Sequence, residues 1–462
     1  MKKISTAIKA GYGAAEASSS IVFTLFYTFG MMFFTDVLKL SPGFAGALFA
    51  IGLLWDAFVD PAVGMISDRL KSKYGRRRPF IIAVALPLGL ITWLHFTNFH
   101  LGPLATKIYF VCIVILYFTA YSVLETPHLA LAAEMTKDYD ERTGLLAWRA
   151  GWSQLGSVIA GPGALALIVY FQKLSGDKAM GWSLMAASLA LISVPLIVIS
   201  WRVTRGFELF AERADFKLKD IFSGPLKNKP FRYTIGLYTL SLVAVTISGG
   251  AGMYFMQYVM KFSQTQLSIA LFIIVGVAIL WIPLIEYVSA KIGKRGAWIV
   301  FVGAWALAHG IGIQFFARPE WPYLTYFLFL FTGAGFASVF LIGWSVISDC
   351  IEVDEFKTGF RREGLYFGVI FFIQKILCAA AMWSFGIVLH KVGYIADVAQ
   401  KPAALMGIRT VSGISVAVLL VVSILFCIKM PMTRGRHRAL LEAIKLKNEG
   451  KTYDDKEIEA LL

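Results

Sequence analysis

Long apolar runs, each about the length of a membrane crossing, recur along this chain and are separated by short polar or basic links. A helix crossing a hydrocarbon core of about 30 Å, at 1.5 Å per residue, needs about 20 apolar residues. Runs of that size fall at 11–36, 43–66, 79–98, 107–135, 144–172 and 180–202. Six more fall at 231–258, 266–290, 297–316, 321–348, 362–391 and 403–430. The pattern predicts an all-α membrane protein with twelve transmembrane helices. Pro127, Pro162 and Pro283 interrupt three of the spans. Proline is tolerated in membrane helices where neighbours satisfy the freed carbonyl.

The polar links set orientation and organisation. SDRLKSKYGRRRP after the second span, the stretch from Arg202 to Arg232 after the sixth, and KIGKRG after the eighth are densely basic. Lys and Arg gather in cytoplasmic loops, so these links and both termini are expected in the cytoplasm, with the chain in the cell inner (plasma) membrane. The longest link divides the chain into an N-terminal six-helix half over 1–202, a cytoplasmic linker over 203–230, a C-terminal six-helix half over 231–430 and a cytoplasmic tail over 431–462. The turns KSKYGRRRP and AKIGKRG echo each other. That is the arrangement of two six-helix pseudo-repeats with a substrate site between them near the midplane. HRALLEAIKLKNEG in the tail has helical periodicity and predicts a solvated or membrane-surface helix.

Composition agrees with lipid as the main solvent. Hydrophobic residues make up 58% of the 462 and charged residues only 16%, against about 25% charged in soluble domains. Mean hydropathy is +0.68. The net charge of +15 lies in short clusters with no repeated aromatic-basic face, so no nucleic-acid partner is expected. Cys112, Cys350, Cys378 and Cys427 show neither metal-ligand spacing nor a disulfide framework. The N-terminal stretch MKKISTAIKAGYGAAEASSS lacks a cleavage-site pattern and is read as a retained cytoplasmic lead. No HExxH, paired cysteine–histidine cluster or nucleophile elbow occurs. The chain is therefore not expected to be an enzyme, and no catalytic residue is assigned. Residues 431–462 are too few for a signalling or phosphotransfer-type domain.

Ionisable side chains inside apolar runs are costly and mark an interior cavity by default. Asp56 and Asp60 are four residues apart, so they share one helix face. Two such carboxylates repel when both are ionised, and a monovalent cation or a proton relieves the repulsion. The alternative is a capping or pairing role for each, and Asp60 does precede Pro61. Glu125 falls in the fourth span with His128 close behind, Arg149 in the fifth and Lys375 in the eleventh. These acids and bases can neutralise one another around one cavity, or form a static network that fixes packing, which is a poor route to stability. Glu16 is read as a weaker candidate that faces the cytoplasmic interface. His95, His309 and His390 read as packing residues, whereas His128 can share a proton with Glu125. Asp68, Arg69, Arg76 and Arg77 lie at the cytoplasmic end of the second span, where they can bridge helix ends at an inner gate or simply anchor the positive side.

The Gly64…Asp68-Arg69…Gly75-Arg76-Arg77 loop resembles the signature of the major facilitator superfamily. WDAFVDPAVGMISDR with GRRRP is similar to the second helix of the glycoside–pentoside–hexuronide:cation symporters, the melibiose permease group. SDCIEVDEFKTGFRREGLYFGVIFFIQK resembles that family's second signature, and TKDYDERTGLLAWR its link between helices 4 and 5. The resemblance covers nearly the whole chain, and lysolipid symporters share its helix 2 pattern. It implies the major facilitator fold, with cation binding by Asp56, Asp60, Ser122 and Lys375. It also implies substrate binding by Glu125, Arg149, Tyr27 and Tyr121. Three positions depart from the galactoside symporters: Ser20 in place of a helix 1 acid, Val59 in place of a polar residue, and Leu129 in place of a tryptophan. The first and third weigh against a melibiose-like substrate, and the second weighs against sodium relative to a proton.

The expectation is a secondary active symporter in which a proton or sodium ion at Asp56 and Asp60 drives uptake of a glycoside, pentoside or hexuronide by alternating access. The alternative is a symporter of a lysolipid or other amphiphile. No cofactor is expected beyond the coupling ion, and no metal beyond sodium at that pair. The expected partners are a small-molecule substrate and membrane lipid, and the expected state is a monomer.

Overall fold

The computed structural model describes residues 4–70, 72–136, 138–207, 224–359, 362–449, 451–452 and 458–461. Most of the expected linker (208–223) and residues 453–457 of the tail lie outside the described residues.

The described residues are helical almost throughout. The helices are α1 (6–37), α2 (Pro42–Arg69), α3 (Arg78–His95), α4 (Pro103–Met135), α5 (139–175) and α6 (Lys178–Val203). They continue as α7 (Lys229–Val259), α8 (264–292), α9 (294–316), α10 (Pro322–Thr358), α11 (Glu363–Lys391), α12 (Pro402–Lys429) and α13 (Arg434–Asn448). Among the described residues, ten helices are long and apolar enough to cross a membrane, with Gln264–Phe316 counted as one. Gly293, at φ 81°, breaks that stretch within KIGKRG, a backbone conformation that glycine adopts without a Cβ penalty. With the break and with α1, the described residues carry twelve transmembrane helices, as expected from the apolar runs.

Local chemistry explains the ends. Pro42, Pro103 and Pro322 open α2, α4 and α10, where the missing N–H costs nothing. Asp177 caps α6 through its side chain, and Ser263 with Gln266 forms a capping box on α8. α10 runs to Thr358, ten residues past the end of its apolar run. Polar DCIEVDEFKT keeps helical geometry beyond the hydrophobic span, so apolar length alone cannot place that end.

Packing divides the chain into two compact units. The first comprises Met1–Arg213, Gly249–Gly276 and Ala379–Gly407, and the second Ala214–Ser248, Val277–Cys378 and Ile408–Leu462. In the first, α1 packs on α5 and α6, α2 on α4, and α3 on α4 and α6. Two glycines allow close approaches between helices. A Cβ on Gly52 would lie 2.4 Å from Phe118, and one on Gly156 would lie 2.4 Å from the Ala17 carbonyl. In the second unit, the α8–α9 stretch packs on α10 and α12 around Trp298 and Trp305. The tail forms a helix as expected. Rather than standing free, α13 buries Leu440 and Ala443 and packs on α10.

Candidate functional site

The close approach permitted by Gly52 brings α2 and α4 together as a polar ladder. Ser122 Oγ donates to Asp56 Oδ1 at 2.8 Å. One turn on, Thr126 Oγ1 donates to Asp60 Oδ1 at 3.4 Å. One turn back, Trp55 Nε1 donates to Thr119 Oγ1 at 2.9 Å. Asp56 is buried, 2% exposed, and Asp60 is half-buried. Both carboxylates thus take hydroxyl donors from one face of α4. Thr126 was not singled out in the sequence, although its offset of four from Ser122 repeats the offset between the two aspartates.

The same turn of α4 carries a second polar cluster. Arg149 on α5 makes an ion pair with Glu125 and reaches Glu16 Oε2 at 2.7 Å. Ser19 Oγ donates to Glu125 Oε2 at 2.5 Å. Two carboxylates therefore share one guanidinium. The expectation for Glu16 is corrected here: it is 8% exposed and belongs to this cluster, not to the cytoplasmic interface. A signal was available, since Glu16 is the one charged residue between Lys9 and Asp36. The helix 1 acid is thus present one turn before Ser20. Ser20 itself bonds Ser153 on α5 at 2.7 Å. Gly156, over Ala17, lets α1 and α5 approach closely enough for these contacts.

Beside the cluster, Tyr27 stacks on Phe23 at 4.1 Å, and Tyr121 lies 6.3 Å from Phe23, centroid to centroid. Phe23 is 39% exposed in the midst of an apolar helix. The two predicted tyrosines therefore flank an aromatic surface whose central ring the sequence did not single out. Lys375 stands half-buried on α11, in the second unit.

At the basic end of the first unit, Glu134 is the hub. It is 3% exposed and accepts from Arg76 and from Arg77 Nε, each at 2.8 Å, while Arg77 also bridges to Asp68 at 2.8 Å. Arg69 is exposed at the end of α2. Two of the four predicted gate residues, Arg76 and Arg77, thus meet on a buried acid of α4, and Asp68 joins them through Arg77. At the opposite end, buried Asp36 accepts from Thr35 and Tyr394, each at 2.6 Å, and from Tyr258. Lys178 donates to Asp397 at 2.6 Å, and Lys39 pairs with the same carboxylate. Burial alone would raise the Asp397 carboxyl, but the two lysines hold it below its usual range. These contacts tie α1, α6, the end of α7 and the loop before α12 together within the first unit.

His95 is enclosed by Phe26, Phe34 and Tyr117, and His309 bonds Ser412 and Thr332. Both are packing residues, as read from the sequence. In the second unit, Asp349 and Glu352 of α10 and His437 of α13 bring ligand-type atoms within 4.8 Å of one another. Lys294 Nζ already lies 2.7 Å from Asp349, so an ammonium occupies the cationic place there.

Comparison with known proteins bears on the family and the fold. The chain matches the family described as MFS/sugar transport protein over residues 11–434. It is 27% identical to the symporter YnaJ of Bacillus subtilis strain 168, over 98% of this chain and 97% of that one. It is 26% identical to YagG of Escherichia coli K12, named as a glycoside/cation symporter, over 93% and 89%. It is 25% identical to an Escherichia coli K12 protein named for sulfoquinovose import, over 88% and 86%. Among solved structures, the D-xylose-proton symporter superposes with a TM-score of 0.62 at 16% identity, over 92% of this chain and 95% of that one. The nucleoside transporter NupG superposes with 0.64 at 15% identity, over 91% and 99%. These two likenesses are of fold alone. With twelve transmembrane helices and a family match from residue 11 to 434, the chain belongs to the MFS/sugar transport protein family of the major facilitator superfamily and is a multi-pass membrane transporter, not an enzyme.

Proposed function

We propose that the protein is a symporter that couples influx of a proton or sodium ion to uptake of a sugar-type solute, a glycoside, pentoside or hexuronide, by alternating access. One observation carries the reading. A single turn of α4 holds both polar clusters: Ser122 and Thr126 bind the two aspartates, and Glu125 between them binds Arg149. A cation that neutralises Asp56 and Asp60 acts on the helix turn that positions the substrate cluster. A ligand shifts a conformational equilibrium only by binding one state better than the other, and relief of carboxylate repulsion supplies that difference. In this reading Asp56, Asp60, Ser122 and Lys375 serve the cation, and Thr126 joins them. Glu125, Arg149, Glu16, Tyr27 and Tyr121 serve the solute. A carboxylate–guanidinium cluster beside aromatic rings suits a polyhydroxylated ring with polar edges and apolar faces. The name of the relative YagG supports the same class. In the same reading both termini lie in the cytoplasm, which the basic links support through the positive-inside rule.

The test uses proteoliposomes of the full chain, with proton and sodium gradients imposed in turn against a panel of labelled glycosides, pentoses, uronates and lysolipids. Gradient-driven accumulation of a sugar-type solute, abolished by Asp60→Asn, is the expected result. Accumulation in Asp60→Asn equal to wild type overturns the coupling assignment. Accumulation of lysolipid alone overturns the substrate class.

A further inference from the structure

His128 is locked in one orientation. Its ring stacks on Tyr12 at 4.5 Å between centroids. Tyr12 Oη donates to the His128 carbonyl at 3.0 Å, and His128 Nε2 lies 2.9 Å from the Tyr12 carbonyl. A carbonyl only accepts, so Nε2 carries the hydrogen. In the neutral imidazole Nδ1 is then a bare acceptor. Nδ1 points at Glu16 Oε2, 3.9 Å away. That is an acceptor facing an acceptor, too far apart for a bond. Both atoms are fully buried and neither has a hydrogen-bond partner. Arg149, whose guanidinium is shared with Glu125, stands in an ion pair with the same Oε2 at 2.7 Å.

The charge count points the same way. Tyr12, Glu16 and Ser19 face this point from α1, Tyr121 and Glu125 from α4, Arg149 from α5, and Ser200 from α6 through its bond to the Tyr12 carbonyl. Arg142 acts from nearer the start of α5. Glu16 and Glu125 ionised against Arg149 leave one buried negative charge. Leaving a buried charge uncompensated is strongly unfavourable.

We propose that Glu16 and His128 form a proton-binding dyad beside the solute cluster, separate from the Asp56–Asp60 pair. One proton binds Glu16 Oε2 as a carboxyl O–H that donates to His128 Nδ1, closing the gap by a shift of about 1 Å to hydrogen-bond distance. The bound proton makes the cluster neutral, and its release to water restores the charge. The dyad gives the solute cluster a charge state of its own. This consequence rests on the transporter reading, whereas the test below needs no solute.

The test takes the full chain in lipid nanodiscs, with pH-difference infrared spectra reading carboxylic acid carbonyls and nitrogen-15 histidine resonance reading the ring. Expected is a carboxylic acid band in wild type at neutral pH that is lost in Glu16→Gln. In His128→Asn the band needs about tenfold more protons, one pH unit, to develop. The His128 Nδ1 signal, assigned by its loss in His128→Asn, moves with the band's midpoint. The signals of His95 and His309 report whether each variant is folded. A His128 signal that stays flat from about pH 5 to 8 in wild type overturns the proposal without any variant. A band lost in Glu16→Gln but indifferent to His128→Asn also overturns the dyad and leaves a lone protonated acid.

Discussion

The hydroxyl of Ser122 donates to the buried carboxylate of Asp56 across 2.8 Å, and the geometry repeats one turn on between Thr126 and Asp60 at 3.4 Å. The two hydroxyls are not equivalent. The shorter bond serves the more buried acid, whose ionised form depends more on its donor. A hydrogen bond to a charged group contributes about 1.5–3 kcal/mol. Ser122→Ala is therefore expected to shift the cation concentration for half-maximal uptake about tenfold, toward tighter binding for a proton and weaker binding for sodium, and Thr126→Val to shift it less. Initial rates against cation concentration in proteoliposomes check the order, and a stronger effect from Thr126→Val contradicts it.

Gly52 is expected to tolerate no side chain. Its missing Cβ leaves room for Phe118, which would otherwise lie at 2.4 Å. Overpacking of this kind costs about 1–3 kcal/mol and separates α2 from α4 beside the aspartate ladder. Gly52→Val should lower thermal stability in detergent and abolish coupled uptake together. Gly52→Ala should do both to a smaller degree. A stable Gly52→Val with intact coupling would show that the ladder does not depend on this contact.

Much of the fold was legible because membrane helices declare themselves by apolar length alone. The aspartate pair was legible too, since an offset of four on one helix is a local fact. What stayed hidden is what depends on neighbours. Glu16 lay in plain view as a charge in an uncharged run, yet only the packing of α1 on α5 shows it meeting Arg149. Glu134 looked like the end of a span, and its role required knowing that the α2–α3 turn folds back onto α4. Asp36 marked the end of α1 in the sequence, while its partners Tyr258 and Tyr394 lie more than 200 residues away. Pairings across such separations have no periodicity to betray them.

Glu134→Gln should destabilise the basic end of the first unit. Arg76 and Arg77 converge on one oxygen of this buried acid. Removing one partner of a buried ion pair costs about 3–5 kcal/mol, here reduced because both arginines keep 13–14% side-chain exposure. Faster labelling of a cysteine placed at Ser67, buried near this point, would register the loosening. Unchanged labelling would reduce the arginines to charge anchors.

Asp36 accepts from three hydroxyls on three segments of the first unit. Asp36→Asn keeps the shape and removes the charge that favours those donors. At about 1.5–3 kcal/mol for a charge-assisted bond, the variant should expose the ends of α1 and α7 more often. Labelling at an introduced Tyr258→Cys is not suitable, because it deletes a donor. A cysteine at Thr35 has the same fault, so hydrogen exchange over 33–37 is the measurement. Exchange no faster than wild type would leave the cluster without a latching role.

The tail helix is expected to dock in a pH-dependent way. His437 on α13 bonds Glu352 Oε2 at 2.6 Å and lies 3.5 Å from Asp349, which also pairs with Lys294 at 2.7 Å. The bond to Glu352 raises the imidazole above its ordinary value against a partial opposing effect of burial. A group raised on docking binds its proton more tightly when docked. The stabilisation is then complete below the free-histidine value of about 6.5, and it fades as pH rises through the higher docked value. Lys447 still donates to the Phe356 carbonyl at 2.6 Å, so α13 should loosen in alkali without detaching. Protection from hydrogen exchange over 434–448, corrected for the intrinsic rise of amide exchange with pH, should therefore be greatest at mildly acid pH and fall above neutrality. In His437→Gln that protection should be low and flat across the same range. A wild-type profile as flat as that of the variant would remove His437 from the docking of the tail.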